Sequence, residues 1–417
     1  MEFSDKIKEF LDKEFPNKNI YNMLLDELKS FKQDIENKRE EYMMLEMAFK
    51  VLGNGAYGAS ASPFMYFYNV ELAGDITGEC RNLTKTMWNN LENFFHTTIW
   101  ERKDLWEKFN FALDENKRQW YENQSISVYS DTDSVYTTYG TFFQCMTPEY
   151  QEKYKTSKAK LDWILNFNLN FLDGQNTKWC EEIYEPRFGK SVHAFELETV
   201  SYASIYLKKK KYLKGLVYSK GKYFDEPHIS GTGIELIKST TPKLCKEILE
   251  DLTKSLLLDF DDSDANLKEQ YILFFNERLE EWRRKFFNAP LEEISQSVGI
   301  GDYKKFVIDD ETNLVLGKGC PVSVHSIARY NYLANKNGEA DKKAYSGKIK
   351  YYNIRLSRKK DDIGYFGYPA GELPSWAPPM DKQTQWYKTI IKPMNAFLEV
   401  MGIPTADAVG SAQLSLF

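Results

Sequence analysis

Cysteine and histidine are scarce in this sequence. The five cysteines, Cys80, Cys145, Cys180, Cys245 and Cys320, are odd in number, far apart and without a CxxC pair, which excludes a disulfide framework and a structural zinc site. The four histidines, His96, His193, His228 and His325, show no metal-ligand spacing and read as structural. Positive charge is also in short supply. With 55 Lys and Arg against 61 Asp and Glu, the formal net charge is -6, so any contact with nucleic acid must come from local patches and not from bulk charge. No apolar run approaches the roughly 18 residues of a membrane span, and MEFSDKIKEF carries charge where an export signal needs an apolar stretch. The expectation is a chain without a membrane partner that stays in a reducing cytoplasm.

Aromatic residues, by contrast, are abundant: 27 Tyr, 27 Phe and 9 Trp in 417 residues supply ample core, which excludes disorder over most of the length. At roughly 150 residues per domain, two or three domains are expected. Leu24, Leu28, Phe31 and Ile35 recur at helical spacing and an apolar stretch, Tyr42 to Leu52, follows, so residues 20–58 are predicted as one long helix or a helical hairpin. The β-formers of ISVY and SVYTTY flank Ser130-Asp131-Thr132-Asp133, the pattern of a β-hairpin with two carboxylates at its tip. A β-rich stretch from Val192 to Tyr223 follows, and Pro242 opens a charged helical region reaching about Arg284, which places a domain boundary near residue 240.

Three groups of residues carry chemistry. Gly53-Asn54-Gly55-Ala56-Tyr57-Gly58 fits GxGxxG, but a helical pattern leads into it where a dinucleotide site needs a strand. Lys50, Asn54 and Tyr57, spaced i, i+4, i+7, instead put an ammonium, an amide and a phenol on one helix face, suited to an anionic aromatic ligand such as a nucleotide. Asp131 and Asp133, held at a sheet end, supply hard oxygen ligands for Mg²⁺. Lys208 to Lys211, with Lys214, Lys220 and Lys222, interleave with Tyr206, Tyr212 and Tyr218, so cations for phosphates alternate with flat surfaces for sugars and bases. Lys348 to Lys360 is a second basic stretch of the same kind, whereas Asp259, Asp261, Asp262 and Asp264 lack the spacing of a calcium loop and read as a solvated turn.

In order along the chain these motifs resemble those of the family B DNA polymerases. Lys50-x-x-x-Asn54-Gly55-x-Tyr57-Gly58 resembles the family's KxxxNSxYG helix, Tyr129-Ser130-Asp131-Thr132-Asp133-Ser134 its YGDTDS turn, and Lys209-Lys210-Lys211-Tyr212 its KKRY strand. Ser239-Thr240-Thr241-Pro242-Lys243, Gly371-Glu372-Leu373-Pro374 and the leucine-phenylalanine tail are similar to the thumb and tail of the T-even phage branch. The resemblance implies an α+β right-hand architecture: helical partial fingers over 1–60, an antiparallel β-sheet palm over 61–238, a mainly helical thumb over 239–409 and a clamp-binding tail over 410–417.

It implies site roles as well. Lys50, Asn54 and Tyr57 would bind the incoming dNTP. Asp133 and Asp131 would hold two Mg²⁺ ions with Glu198 nearby, Glu196 competing for that third position. Lys209, Lys210, Lys211 and Tyr212 would grip primer-template DNA. Gln413, Leu414, Leu416 and Phe417, within QLSLF, are similar to the peptide that binds bacterial sliding clamps.

Gly55, Ser130 and Lys211 depart modestly from the family pattern, which usually has serine, glycine and arginine there. The DxxSLYP motif, which carries the family's other metal-binding aspartate, does not occur in the sequence, nor do the exonuclease motifs or the arginine-bearing first fingers helix. The resulting expectation is the C-terminal subunit of a split DNA-directed DNA polymerase, a nucleotidyltransferase of phage DNA replication in the host cytoplasm. An N-terminal partner subunit would carry DxxSLYP and the exonuclease and complete the magnesium site. The alternative from another class is a non-catalytic, polymerase-derived scaffold that binds DNA and clamp, and a metal-dependent nuclease is a weaker one.

Overall fold

Opposite charges three and four residues apart support the first long helix. The structure, a computed structural model, describes residues 5–16, 18, 22–191, 193–259, 265–300, 307–308, 315–316, 320–339, 347–355 and 363–403. Contacts divide the chain into two units, 1–86 and 87–417. In the first, α1 (Asp5–Glu14) precedes α2 (Leu25–Ala61), which runs unbroken through Gly53, Gly55 and Gly58. Lys29 meets Asp26 at 3.2 Å and Lys38 meets Glu41 at 2.9 Å, neighbours on the helix surface whose opposite charges favour the helical spacing. Phe31 is buried with its ring edge-on to Phe15 at 5.0 Å, and the Tyr42 hydroxyl donates to Glu14 at 2.6 Å. Beyond Tyr42 the helix loses this cover. A turn over residues 62–69 leads into α3 (Val70–Asn93), where Asn69 Oδ1 accepts the Leu72 N–H at 3.0 Å.

The second unit combines helices with small antiparallel sheets, so the chain is α+β. The aromatic excess goes chiefly into one cluster in which Phe94, Phe95, Phe111, Phe142, Trp163 and Phe167 are all buried. Trp163 and Phe167, four residues apart on the helix Ser157–Phe167, stack at 4.9 Å, and the indole N–H donates to the Phe109 carbonyl at 2.9 Å. On this cluster stand β1 (Ser127–Asp131) and β2 (Ser134–Thr137), the hairpin the sequence predicts, with Ile126 fully buried at its root. The Glu92 carboxylate accepts the Ser127 N–H at 2.7 Å and fixes the first strand to the helical layer.

A second sheet, β3 (Thr199–Lys208), β4 (Lys211–Ser219) and β5 (Lys222–Thr232), is a meander in the β-rich region. Its inner face packs on helices: Leu213 of β4 and Ile234 share a cluster with Cys245, Leu249 and Met394, so the core crosses residue 240. Pro242 opens the helix Lys243–Lys254, as read from the sequence. Farther on come β6 (Gln296–Gly299), the short pair β7 (Val307–Ile308) and β8 (Val315–Leu316), β9 (Lys348–Arg355) and β10 (Ile363–Pro369). The order of the last sheet is β10-β9-β6, and the helix Val322–Lys336 backs onto it so closely that a Cβ on Gly367 would lie 2.7 Å from the Ser326 Cβ. All five cysteines are free. Among the described residues no helix is long and apolar enough to cross a membrane.

Truncating the keystone of the aromatic cluster removes stacking, a buried hydrogen-bond donor and volume together. Trp163→Ala should destabilise the second unit by about 3–5 kcal/mol. A urea titration that leaves the midpoint unmoved would show that the cluster is not the core the packing indicates.

Candidate active site

Two segments far apart in sequence meet at the tip of the β1–β2 hairpin. The two-residue turn Thr132-Asp133 follows from the register, in which Asp131 pairs with Ser134. Asp131 Oδ1 accepts from the Thr132 N–H at 2.9 Å and the Thr132 hydroxyl at 3.3 Å, which orients the first carboxylate. Asp133 is exposed, and among the described residues no hydrogen bond or ion pair engages it.

The other segment is the β3–β4 turn. Lys208 pairs with Lys211, leaving Lys209 and Lys210 as the turn residues, and Lys210 takes φ 57°, a left-handed conformation that disfavours side chains. Two contacts hold it there: its N–H donates to the Tyr129 hydroxyl at 2.8 Å, and its Nζ lies 3.4 Å from Asp131 Oδ1. Gly233 passes directly behind, where a Cβ would stand 2.2 Å from the Lys210 carbonyl oxygen and φ is 66°. Only glycine lets β5 leave the sheet at that point.

Four tyrosines join the two segments. Tyr129 stacks on Tyr206 at 5.1 Å, Tyr136 meets Tyr212 at 5.6 Å, and the hydroxyls of Tyr136 and Tyr212 are 3.0 Å apart. Lys214 lies over the Tyr136 ring at 5.1 Å, and burial pulls its ammonium below the ordinary lysine range. Burial pushes the Tyr206 phenol up to about 12, and burial together with the Tyr212 hydrogen bond pushes Tyr136 up further.

The lysines of this stretch are therefore not equivalent. Lys211 donates to Glu235 at 3.2 Å and Lys238 to the same carboxylate at 3.1 Å. Burial alone would raise the Glu235 carboxyl, but the hydrogen bonds from Lys211 and Lys238 outweigh it and hold it below its ordinary value. Lys208 and Lys209 stay exposed, with no carboxylate beside them among the described residues.

Glu198 is not brought to the carboxylate pair. It precedes β3, whose ten residues run in extended form toward the Lys209-Lys210 turn, so roughly 30 Å of strand separates it from that turn. There it pairs with Lys220, through Nζ at 3.5 Å and through its carbonyl, which accepts the Lys220 N–H at 2.8 Å. Among the described residues no three His, Cys, Asp or Glu side chains converge as a metal-ligand set.

Lys50, Asn54 and Tyr57 stand on α2 in the first unit, all exposed, which keeps them on one accessible helix face as their spacing requires. Gln413, Leu414, Leu416 and Phe417 lie outside the described residues, as does the end of the second basic stretch beyond Arg355. Sequence reasoning did not identify Tyr129, Tyr136 or Glu235 as site-forming. The alternation of tyrosines on two hairpins was the available signal. A shallow cleft lined by Asn90, Asn93, Arg102, Gln175 and Trp179 holds none of the sequence-predicted site residues.

No family model matches the sequence, and no curated protein matches it. Chemically, the tip offers hard oxygen donors on one side and the exposed ammonium groups of Lys208 and Lys209 on the other, a combination suited to a polyphosphate or nucleic-acid backbone with a divalent cation.

The tyrosine cluster carries a pH signature. Below about pH 10 both folded and unfolded chains keep the phenol protonated; from there to about 12 only the unfolded chain ionises at Tyr206, so stability falls as pH rises through that window. Tyr206→Phe should make the fall shallower. Denaturant midpoints measured across the window check this, and equal slopes for the two proteins would refute it.

Proposed function

We propose that the chain is the C-terminal subunit of a split DNA-directed DNA polymerase of the family B kind, with residues 1–60 as partial fingers, 61–238 as palm and 239–409 as thumb. The observation that carries this reading is the meeting of the aspartate turn with the lysine turn: Lys210 binds both Tyr129 and Asp131 across 81 and 79 residues of sequence. The two motifs lie far apart in sequence and meet in space, and a nucleotidyl transfer needs both within reach of one primer end.

The residues present fit Mg²⁺: both aspartates offer the carboxylate oxygens that it prefers, Asp133 uncommitted and Asp131 shared with one lysine. When bound, Mg²⁺ would activate the attacking 3′-hydroxyl and stabilise charge on the phosphates. In the proposed mechanism Asp133 is the principal ligand and Asp131 its neighbour, with the remaining carboxylate supplied by the second polypeptide. Lys209 and Lys210 hold the primer-template backbone beside the tip, and the tyrosine cluster fixes their distance from it. Lys50 meets the triphosphate of the incoming dNTP while Tyr57 and Asn54 face its sugar and base. Positioning and charge screening are what these residues contribute to phosphoryl transfer. The tail residues 413–417 tether the subunit to a sliding clamp, where burying two leucines and a phenylalanine contributes about 1.5–3 kcal/mol each.

The test is primer extension with Mg²⁺ and dNTPs. The chain alone should give no processive synthesis, and robust synthesis without a partner would sink the split-subunit reading. With the partner that carries DxxSLYP added, Asp133→Asn should lower the rate by about 10²–10³-fold or more at unchanged DNA affinity. Lys209→Ala should instead weaken DNA binding and reduce the salt dependence by about one phosphate contact. Full activity of Asp133→Asn removes that residue from the mechanism.

A further inference from the structure

Between Tyr42 and Ile76, all within the first unit, sixteen apolar side chains besides Tyr57 are 41 to 97 % exposed. They include Met44, Phe49 and Leu52 on α2 and Phe64, Tyr66 and Phe67 in the turn after it. Counting roughly half of the 150–250 Å² that a large aromatic side chain buries, they present on the order of 1,500 Å². An ordinary monomer's largest apolar patch is about 300–600 Å². A stable interface uses about 800 Å² from each partner.

The distribution around the helix says what kind of cover is missing. Successive residues step by about 100°. On that wheel Glu46, Lys50, Asn54 and Tyr57 fall in one stripe about 80° wide, and every other residue from Met43 to Ala59 is apolar or glycine. A helix that is apolar nearly all round is stable when enclosed. Glu46, Lys50 and Asn54 lie midway along this stretch, and a charged or amide side chain there suits an enclosing protein that leaves one stripe open better than a lipid interior. One facing helix covers a stripe of only about 100°. The apolar arc of roughly 280° therefore takes two or more elements, more than a single pairing of this helix with its own copy provides.

Two details agree. Gly53, Gly55 and Gly58 weaken the helix relative to alanine, yet a Cβ at each would meet nothing within 4 Å among the described residues, so none of those residues requires glycine there. Glycine lets a foreign backbone approach closely. The aromatic turn is also fixed in advance, by the Asn69 N–H on the Ser60 carbonyl at 2.8 Å and the Met65 N–H on the Ser62 carbonyl at 3.1 Å. Preordered aromatics suit an interface anchor.

We propose that residues 42–76 insert into a second polypeptide, which encloses α2 with two or more uncharged apolar elements and leaves only the stripe of Glu46, Lys50, Asn54 and Tyr57 open. This deepens the polymerase reading and rests on it for the partner, the polypeptide that supplies the remaining carboxylate.

The test uses the full chain with the DxxSLYP-bearing polypeptide as probe and reads complex formation by sedimentation, amide hydrogen exchange and primer extension. A complex should form, exchange over 42–76 should slow, and Phe49→Asp or Leu52→Asp should raise Kd roughly a hundredfold or more. Lys50→Gln, on the open stripe, should leave Kd unchanged, and circular dichroism melts of the free variants should match the parent. A complex that synthesises DNA without protection over 42–76, or that tolerates Phe49→Asp, overturns the docking surface and leaves the polymerase reading standing. Complex and protection without synthesis do the reverse. A discrete homodimer of the chain alone, or binding to phosphatidylcholine vesicles, overturns the proposal if Phe49→Asp abolishes it. Neither complex nor synthesis overturns both readings.

Discussion

The hydrogen bond from the Lys210 N–H to the Tyr129 hydroxyl is the constraint on which the candidate site depends. Each hairpin is locally specified, but neither local pattern says where one lies on the other. A phenol that reaches across to a main-chain N–H, beside a lysine that reaches back to Asp131, sets that relation in two directions at once. Tyrosine serves where phenylalanine would not, because only its hydroxyl can accept the turn N–H. The unfavourable φ of Lys210 is held by these contacts on one face and by the close passage of Gly233 on the other.

What could be read from the sequence and what could not divides along the same line. The hairpin was legible because β-formers on either side of a four-residue polar insert leave few alternatives, and α2 because its apolar positions repeat at helical spacing. The Tyr129 contact was not, since its partner is a main-chain N–H that carries no side-chain signature. Glu198 shows the converse problem. The family resemblance that nominated it carries no information on the end of the strand it occupies, and ten extended residues separate it from the turn. Likewise the composition change near residue 240 is real, but Leu213 and Ile234 pack with Cys245 and Leu249 through space, which composition does not encode.

Charge is allocated with similar economy. On a chain of net charge -6, the basic stretch reads as one patch, yet Lys211 neutralises Glu235, Lys214 lies over tyrosine rings and Lys220 meets Glu198. Those cations maintain the sheet, and Lys208 and Lys209 remain to face solvent. A polyanion bound here would release few counterions, so its affinity would depend weakly on salt compared with that of a strongly basic protein. Shape and stacking must then supply the balance, which is where a surface rich in tyrosine has an advantage over one rich in lysine.

The same reasoning applies to α2, where the polar stripe and the apolar remainder make opposite demands. Lys50 is useful to an anionic ligand only while exposed, whereas Phe49 and Leu52 on either side of it favour burial. A helix immersed in water satisfies the first demand alone, and a helix buried in its own chain would satisfy the second at the expense of the ligand. Enclosure by another polypeptide along all but the polar stripe meets both. It also raises the value of the lysine, since lowering the dielectric around an ammonium strengthens its attraction for phosphate. Under the proposed docking, completing the fold and completing the site would be one event, and the exposure of the apolar faces would be the physical reason for coupling them.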